Sequence, residues 1–304
     1  MRLKIWGCRG SMATPGPSTV ICGGNTSCVE VSLDNGSVIV LDAGTGIRDL
    51  GEELVERGTR RIHLFLTHLH LDHVEGLRFF APLWDGQVRV DVWGPPSTVL
   101  SLEETIARTF SPPLFPIDLG DVPAQVTFRD VPREPWTVDG ALVTAALVVH
   151  PGPTVGYRIE ADGSSIAYLP DHEPALTGIE ERSSDWISGA AIAQGVDVLL
   201  HDAQYFEEEY DQRIGWGHSS VSDAVAYAQA LGVRRIVLFH HEPHHSDEIL
   251  SGLEDRAQAL VRPDEDRAAL AREGMVVELP RGIGETSLVA GAVRRHSRCF
   301  AKPS

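Results

Sequence analysis

Thr67-His68-Leu69-His70-Leu71-Asp72-His73 places four metal-binding side chains within six positions, directly after the apolar run Ile62-His63-Leu64-Phe65-Leu66. That run has the length and the β-branched and aromatic content of a buried strand. A spacing of two puts His68 and His70 on one face as the strand ends, and the turn beyond swings Asp72 and His73 to another. The result is two half-sites side by side, each short of ligands. Single histidines are ordinarily core or surface residues, but an H-x-H-x-D-H cluster at a strand end is a metal-binding signature.

The missing ligands are sought among other His and Asp residues that close apolar runs. His150 follows Ala141–Val149, Asp171 follows Ser165–Pro170, and His240 follows Arg235–Phe239. Loops at one edge of a layered sheet are where sites are built. Imidazole and carboxylate suit zinc, and two metal ions about 3.5–4 Å apart can hold attacking and leaving oxygens together. The set His68, His70, Asp72, His73, His150, Asp171 and His240 resembles that of the metallo-β-lactamase superfamily. The resemblance covers roughly residues 3–279 and includes Leu41-Asp42-Ala43-Gly44 before the first helix and Gly76 after the cluster.

The resemblance implies a four-layer αββα sandwich, an α/β (α+β) fold that pattern alone leaves undecided. It implies two Zn²⁺ ions per chain. His68, His70 and His150 would hold the first, Asp72, His73 and His240 the second, and Asp171 would bridge them with a hydroxide. Asp72 counts in this reading among the catalytic residues as well. Two dications against two carboxylates and a hydroxide leave a single positive charge, which favours an anionic substrate. Position 70 is His, where the diiron oxygen-reducing branch is expected to carry a carboxylate, so zinc and hydrolysis are favoured over redox work. Mn²⁺ and Fe²⁺ are the other ions such a set can take.

Many hydrolases share these ligands, so the substrate has to be argued from other positions. Gly217-His218-Ser219-Ser220 precedes Val221, Ala224, Val225, Ala228 and Leu231 at helical spacing, and Gly232 closes the run. Ser220 with Asp223 is a capping-box variant, which sets His218 just before a helix N-terminus. A helix start offers free N–H groups to an anion, and a histidine there can touch a phosphoryl oxygen or protonate a leaving alkoxide. Upstream, the run 197–201 ends in His201-Asp202-Ala203-Gln204. The two segments are similar to those of the ribonuclease Z branch, which implies a catalytic carboxylate–histidine couple of Asp202 and His218, with Asp for Glu and Ser for Thr. The tRNA-processing members of that branch carry a protruding arm between the positions of His150 and Asp171. Here only 20 residues lie between them.

Charge points the same way. With 26 Lys and Arg against 43 Asp and Glu, the net charge is −17. Proteins that grip long nucleic acid gain affinity by neutralising many phosphates, which an acidic body cannot do. No 18-residue apolar run exists, and residues 1–7 enter a strand at once, so neither a membrane span nor a signal peptide is expected and the chain is placed in the cytoplasm. Cys8, Cys22, Cys28 and Cys299 form no C-x-x-C pair and read as reduced thiols, with a structural zinc site at Cys8 and Cys22 as the other reading. Residues 1–279 read as one hydrolase domain, since its ligands must meet, and residues 280–304 as a C-terminal extension with a basic end.

Along the chain, strands are expected at 2–6, 27–33, 37–42, 88–93 and 125–149, and a hairpin at 154–160 and 164–169. Further strands are expected at 197–201, 235–239 and 275–279. Helices are expected at 47–57, 180–193, 220–231, 245–260 and 264–273. Among other histidines, His63 reads as satisfied core and His201 as structural or pocket-lining. His172 reads as pocket-lining or solvent-facing, His241 as a substitute ligand or neighbour, and His244 and His245 as exposed. Asp42 reads as a helix cap or as the partner of a ligand histidine's second nitrogen. Phe110–Pro116 reads as packing, or as a wall that could stack a base.

Together these features describe a dinuclear-metal hydrolase acting on a small anionic phosphodiester, with a cyclic nucleotide favoured and a homodimer as the expected assembly. The rivals are a lactonase or glyoxalase II-like thioesterase on the same metal centre, a tRNA 3′-processing endonuclease, and a non-catalytic binding protein.

Overall fold

The computed structural model describes residues 1–174, 187–261 and 268–279, together with the backbone of Ser287–Val289. Two sheets face each other. The first contains β1 (Arg2–Gly7), β2 (Cys28–Ser32), β3 (Val38–Leu41), β4 (Arg61–Phe65), β5 (Arg89–Gly94) and β6 (Gln125–Asp130). The second contains β7 (Trp136–Val138), β8 (Ala141–Leu147), β9 (Val155–Ala161), β10 (Ser164–Leu169), β11 (Val198–Asp202), β12 (Ile236–Phe239) and β13 (Ala269–Leu270). β14 (Val276–Glu278) and β15 (Ser287–Val289) complete the first sheet, in the order β15-β14-β1-β2-β3-β4-β5-β6. The second runs β13-β12-β11-β10-β9-β8-β7.

Between the sheets lies an apolar core that includes Ile5, Val29, Phe65, Tyr157, Tyr168 and Phe239. Helices cover both outer faces. On one, α1 (Ile47–Glu56) and α3 (Leu102–Thr109) pack through Ile47, Leu50, Leu54, Leu102 and Ile106. On the other, α4 (Ala190–Ala193), α6 (Val221–Ala230) and α7 (Asp247–Leu260) pack through Ile192, Val221, Val225, Leu250 and Leu253. Two short helices, α2 (Leu71–Val74) and α5 (Glu207–Tyr210), sit in the loops. These are the four layers of an αββα sandwich.

Strand direction explains where the functional loops gather. β3, β4 and β5 are parallel neighbours, as are β10, β11 and β12. β8 reaches β10 through two antiparallel steps and so runs the same way, as β1 does relative to β3. The carboxyl ends of all these strands therefore open at one edge, the usual place for a site in such sheets. Asp42, His68–His73, His150, Asp171, Asp202 and His240 all follow or close those ends.

Some expectations need correction. β4 stops at Phe65, so His68 and His70 stand on a loop rather than on a pleated strand, and the turn expected to carry Asp72 and His73 is the short helix α2. The expected helix 264–273 contains β13 instead, paired in parallel with β12. Ala268 to Leu270 are all buried, and a short apolar run carries no period to separate helix from strand. Residues 264–267 of that helix, and 180–186 of the helix expected at 180–193, lie outside the described residues. α3 was not expected, although Ser101 and Glu104 form its capping box. Most of 280–304 also lies outside the described residues, while Ser287–Val289 pairs with β14.

The turn after α2 is pressed against the loop after β3. Gly76 donates its N–H to Ala43 O at 3.0 Å, and a Cβ at Gly76 would lie 2.1 Å from the Gly44 carbonyl oxygen. Gly76→Ala must push α2 outward. We expect a loss of about 1–3 kcal/mol in denaturant unfolding, with weaker metal retention, because α2 carries Asp72 and His73.

Candidate metal centre

All seven residues named from the cluster and the strand ends meet at the open edge. Candidate ligand atoms of His68, His70 and His150 lie within 4.8 Å of one another, and so do those of Asp72, His73, Asp171 and His240. Asp171 stands between the groups. Its Oδ2 is 3.0 Å from His73 Nε2, and its Oδ1 is 3.2 Å from His240 Nε2 and 3.8 Å from the Nε2 atoms of His68 and His150. Asp72 Oδ2 lies 3.2 Å from both His73 Nε2 and His240 Nε2.

Four of the five histidines are aimed from behind, while His70 turns its Nδ1 toward His150 Nε2 at 3.2 Å. His73 Nδ1 is 2.8 Å from Asp42 Oδ2, His240 Nδ1 is 3.2 Å from Gln204 Oε1, and His150 Nδ1 donates to Gly217 O at 2.9 Å. His68 Nδ1 lies 3.2 Å from Thr67 Oγ1. With Nδ1 anchored, these four rings turn Nε2 inward, which fixes the tautomer as well as the direction. Asp42 is thus the histidine partner rather than the helix cap, since Gly46 caps α1. Its buried carboxylate also accepts from Thr67 N, Thr67 Oγ1 and Tyr168 OH, which ties the two sheets together beneath the site.

The inward atoms fit a divalent cation. His68 Nε2, His73 Nε2 and Asp171 Oδ2 are buried without a hydrogen-bond partner. Unpaired buried polar atoms are costly, and several aimed at one point are what a bound ion satisfies. Burial, with further help from neighbouring imidazoles, pushes His68 down, and burial lowers His70 and His150, so their lone pairs are free at neutral pH. Burial opposes ionisation of Asp171, yet His240 and His73 hold its carboxyl well below the usual range. Asp72 is likewise lowered against its burial, by His73 and His240.

His218 differs from these. It follows the loop before α6, whose N-cap Ser220 accepts from Asp223 N. Its Nδ1 lies 2.6 Å from Asp202 Oδ2 at the end of β11, and 3.9 Å from Asp171 Oδ1. Asp202 also accepts from Ser219 N and Gln204 N, which fixes its rotamer. Burial would lower the His218 pKa, but Asp202 outweighs it and raises it to about 9. A charged imidazole, with no hydrogen bond to its Nε2 among the described residues, thus stands beside the neutral His68, His70 and His150, whereas Asp171, Asp72 and Asp42 raise His73 against its burial.

Other residues fall differently from expectation. His172 is fully buried, with Nδ1 2.9 Å from His201 Nε2, so it neither lines the cleft nor meets solvent. Both rings pack against Tyr227 of α6, which covers them from solvent. His201 is structural, with Nδ1 2.7 Å from Asp202 O. His241 points away and donates to Ala271 O, and burial lowers its pKa to about 3. His244 is exposed, but His245 is buried against Glu209 because the loop folds back over α5. His63 is buried, 2.9 Å from Asp139. Cys8, Cys22 and Cys28 are free and buried, and no cysteine belongs to a candidate metal group among the described residues. Phe115 packs among Phe79, Trp84 and Phe110.

Several contributors escaped sequence reasoning. Ser11 N donates to Asp72 Oδ2 at 2.7 Å, Gln204 orients His240, and Glu173 binds the loop before His218. Ser11, Asp42 and His240 adopt left-handed φ of 57°, 59° and 61°. Such conformations cost about 1–3 kcal/mol each and persist where surrounding contacts enforce them. Gly10 allows one of them, because a Cβ there would lie 2.5 Å from the His240 ring.

Comparison with known proteins agrees with this fold. The family described as "Beta-lactamase superfamily domain" matches residues 38–241. The ribonuclease Z of Mycolicibacterium paratuberculosis is 27% identical over 269 residues, covering 81% of this chain and 85% of that protein. The metallo-β-lactamase-fold protein YhfI from Bacillus subtilis superposes with a TM-score of 0.65 at 15% identity, over 90% of this chain and 98% of that one. A diphosphatase from the PhnP family superposes with a TM-score of 0.63 at 21% identity, over 92% and 98%. With its two sheets, its edge of converging histidines and aspartates, and a family match over most of its length, the chain belongs to the metallo-β-lactamase superfamily and is a metal-dependent hydrolase.

Proposed function

We propose that the chain is a dinuclear zinc phosphodiesterase for small phosphodiesters, with cyclic nucleotides the favoured class. The observation that carries the reading is the buried Asp202–His218 pair at 2.6 Å beside the candidate metal cluster. An enzyme of carboxyl or thioester bonds would use the same ligands but give that pair no task. His68, His70 and His150 would hold one ion, Asp72, His73 and His240 the other, and Asp171 both. Bound there, divalent ions would activate water and offset charge on a phosphoryl group.

The chain's own residues supply the rest. Asp202 holds the Nδ1 proton of His218, so the imidazolium presents its Nε2 proton to the leaving oxygen. Asp72, ionised although buried, would accept the proton that the attacking water gives up. The 20 residues between His150 and Asp171 are largely the β9–β10 hairpin, which provides no arm for a long RNA. The acidic surface would repel polyphosphate, whereas one small anion meets only the local field of the ions. An RNA phosphodiester is the second reading, favoured by the likeness to ribonuclease Z. The enzyme is placed in the cytoplasm, with a homodimer as its expected assembly. No described helix is long and apolar enough to cross a membrane.

Elemental analysis of unchelated, active protein should give two metal ions per chain, zinc in the main. A reproducible value of one or less in active protein would remove the dinuclear reading. Asp171→Ala should lose both ions to a chelator faster than His150→Ala does.

Precursor tRNA should stay uncut at physiological salt under conditions where small phosphodiesters are hydrolysed. Efficient 3′ processing of a tRNA precursor would overturn both the size argument and the charge argument.

His218→Ala should keep its fold and metal content yet lose about 10²–10⁴-fold in kcat, the scale of a positioned acid. The loss should shrink for a diester that releases p-nitrophenolate, which needs little protonation. Asp202→Ala should fall less, and the double variant little further than His218→Ala, because paired residues act as a unit. Unchanged rates in His218→Ala on poor and good leaving groups alike would leave the histidine as part of a helix start.

A further inference from the structure

Glu173 lies two residues beyond Asp171 and is 1% exposed. Its Oε1 accepts from Tyr210 OH at 2.7 Å and from Gly215 N at 2.8 Å, and its Oε2 accepts from Gly217 N at 2.8 Å and Gly215 N at 3.1 Å. No Lys or Arg among the described residues pairs with it, so one hydroxyl and two backbone amides of residues 210–217 stand in for the water it gave up. Its own backbone is pinned as well, with Glu173 N donating to Val149 O at 3.0 Å, one residue before His150.

The loop that Glu173 grips bears on both halves of the site. Gly215 and Gly217 adopt φ of 87° and 88°, a path closed to most other residues. The carbonyl of Gly217 accepts from His150 Nδ1, and a Cβ on Gly217 would lie 2.5 Å from that same nitrogen. The next residue in the chain is His218. Tyr210, at the end of α5, anchors the far end of the loop on the same carboxylate.

We propose that Glu173 is a positioning residue for proton delivery: its carboxylate fixes the 210–217 loop so that His218 meets Asp202 and faces the reacting group. This rests on the reading of His218 as proton donor. Glu173 has no path of its own to the substrate, since both its oxygens are committed to the loop. A misplacement of about 1 Å in a reacting group can cost about 10²-fold in rate, and releasing these bonds frees the loop by that order.

The test compares metal-loaded wild type, Glu173→Ala, Glu173→Gln, Tyr210→Phe, His218→Ala and Glu173→Ala/His218→Ala. Each is assayed on a diester with an alkyl leaving group and on bis(p-nitrophenyl) phosphate. With metal kept saturating, so that any loosening of His150 through Gly217 does not limit the rate, Glu173→Ala should lose about 10–100-fold in kcat on the alkyl diester and about threefold or less on the nitrophenyl diester, with KM near wild type. Glu173→Gln keeps one acceptor oxygen for the amides and should recover much of the loss. Tyr210→Phe, which leaves the glycine bonds in place, should fall only slightly. The double variant should match His218→Ala. Equal losses on both substrates, losses that multiply with His218→Ala, or wild-type rates in Glu173→Ala while His218→Ala is impaired would each overturn the positioning role. Should Glu173→Ala fail to fold, Glu173→Gln and Tyr210→Phe decide, and a leaving-group-independent loss in Glu173→Gln would overturn it. If His218→Ala is itself unimpaired, the reading of His218 fails and the role of Glu173 fails with it.

Discussion

The carboxylate of Asp171 sits within a ring of imidazoles, 3.0 Å from His73 Nε2, 3.2 Å from His240 Nε2 and 3.8 Å from those of His68 and His150. So many lone pairs aimed at one buried place repel one another unless a cation lies among them. Much of the edge of the sandwich is arranged to enforce that convergence. Asp42, Gln204, Thr67 and the Gly217 carbonyl hold the outer nitrogens, and Ser11, Asp42 and His240 accept left-handed backbone to reach their places. Strain of this size is tolerated because the strands beneath are fixed by a core that closes between two sheets. Asp42 shows the coupling most directly, since its one carboxylate receives Thr67 from the first sheet's loop and Tyr168 from β10 of the second.

The same edge divides protonation states between neighbours. Desolvation lowers His68, His70 and His150, as suits candidate metal ligands, while Asp202 raises His218 to about 9 although it is more deeply buried than His70. The rings of His150 and His218 are only 5.0 Å apart, so the division comes from partners rather than from depth. Groups of one type driven apart in pKa within one site are a recognised mark of distinct chemical tasks. Here the contrast sets His218 apart from the candidate ligands His68, His70 and His150, while His73 is raised by the carboxylates of Asp171, Asp72 and Asp42 around it.

Much of this was legible in the sequence, for a physical reason. Several of the strands are apolar runs that end in His or Asp where buried chain meets the open edge, as at His68, His150, Asp171 and His240. Ser220 and Asp223 likewise announce the start of α6. What escaped depends on contacts that the sequence does not display. Ser11 acts through a backbone N–H, Glu173 receives two backbone amides, and His172 and His245 are buried by loops that fold back. β13 is too short to show a period, and the substrate class still rests on residues outside the shared ligand set.

The central claim, phosphodiester rather than carboxyl chemistry at this metal centre, is tested most directly by one substrate comparison on zinc-loaded protein. Bis(p-nitrophenyl) phosphate and cyclic mononucleotides are assayed beside a lactone series and a thioester. The account predicts kcat/KM for the preferred phosphodiester at least about 100-fold above that for any lactone or thioester, the lower scale of what a dedicated proton donor contributes. Efficient lactone or thioester turnover with phosphodiesters inert would contradict it, and would leave the Asp202–His218 pair without the task assigned to it.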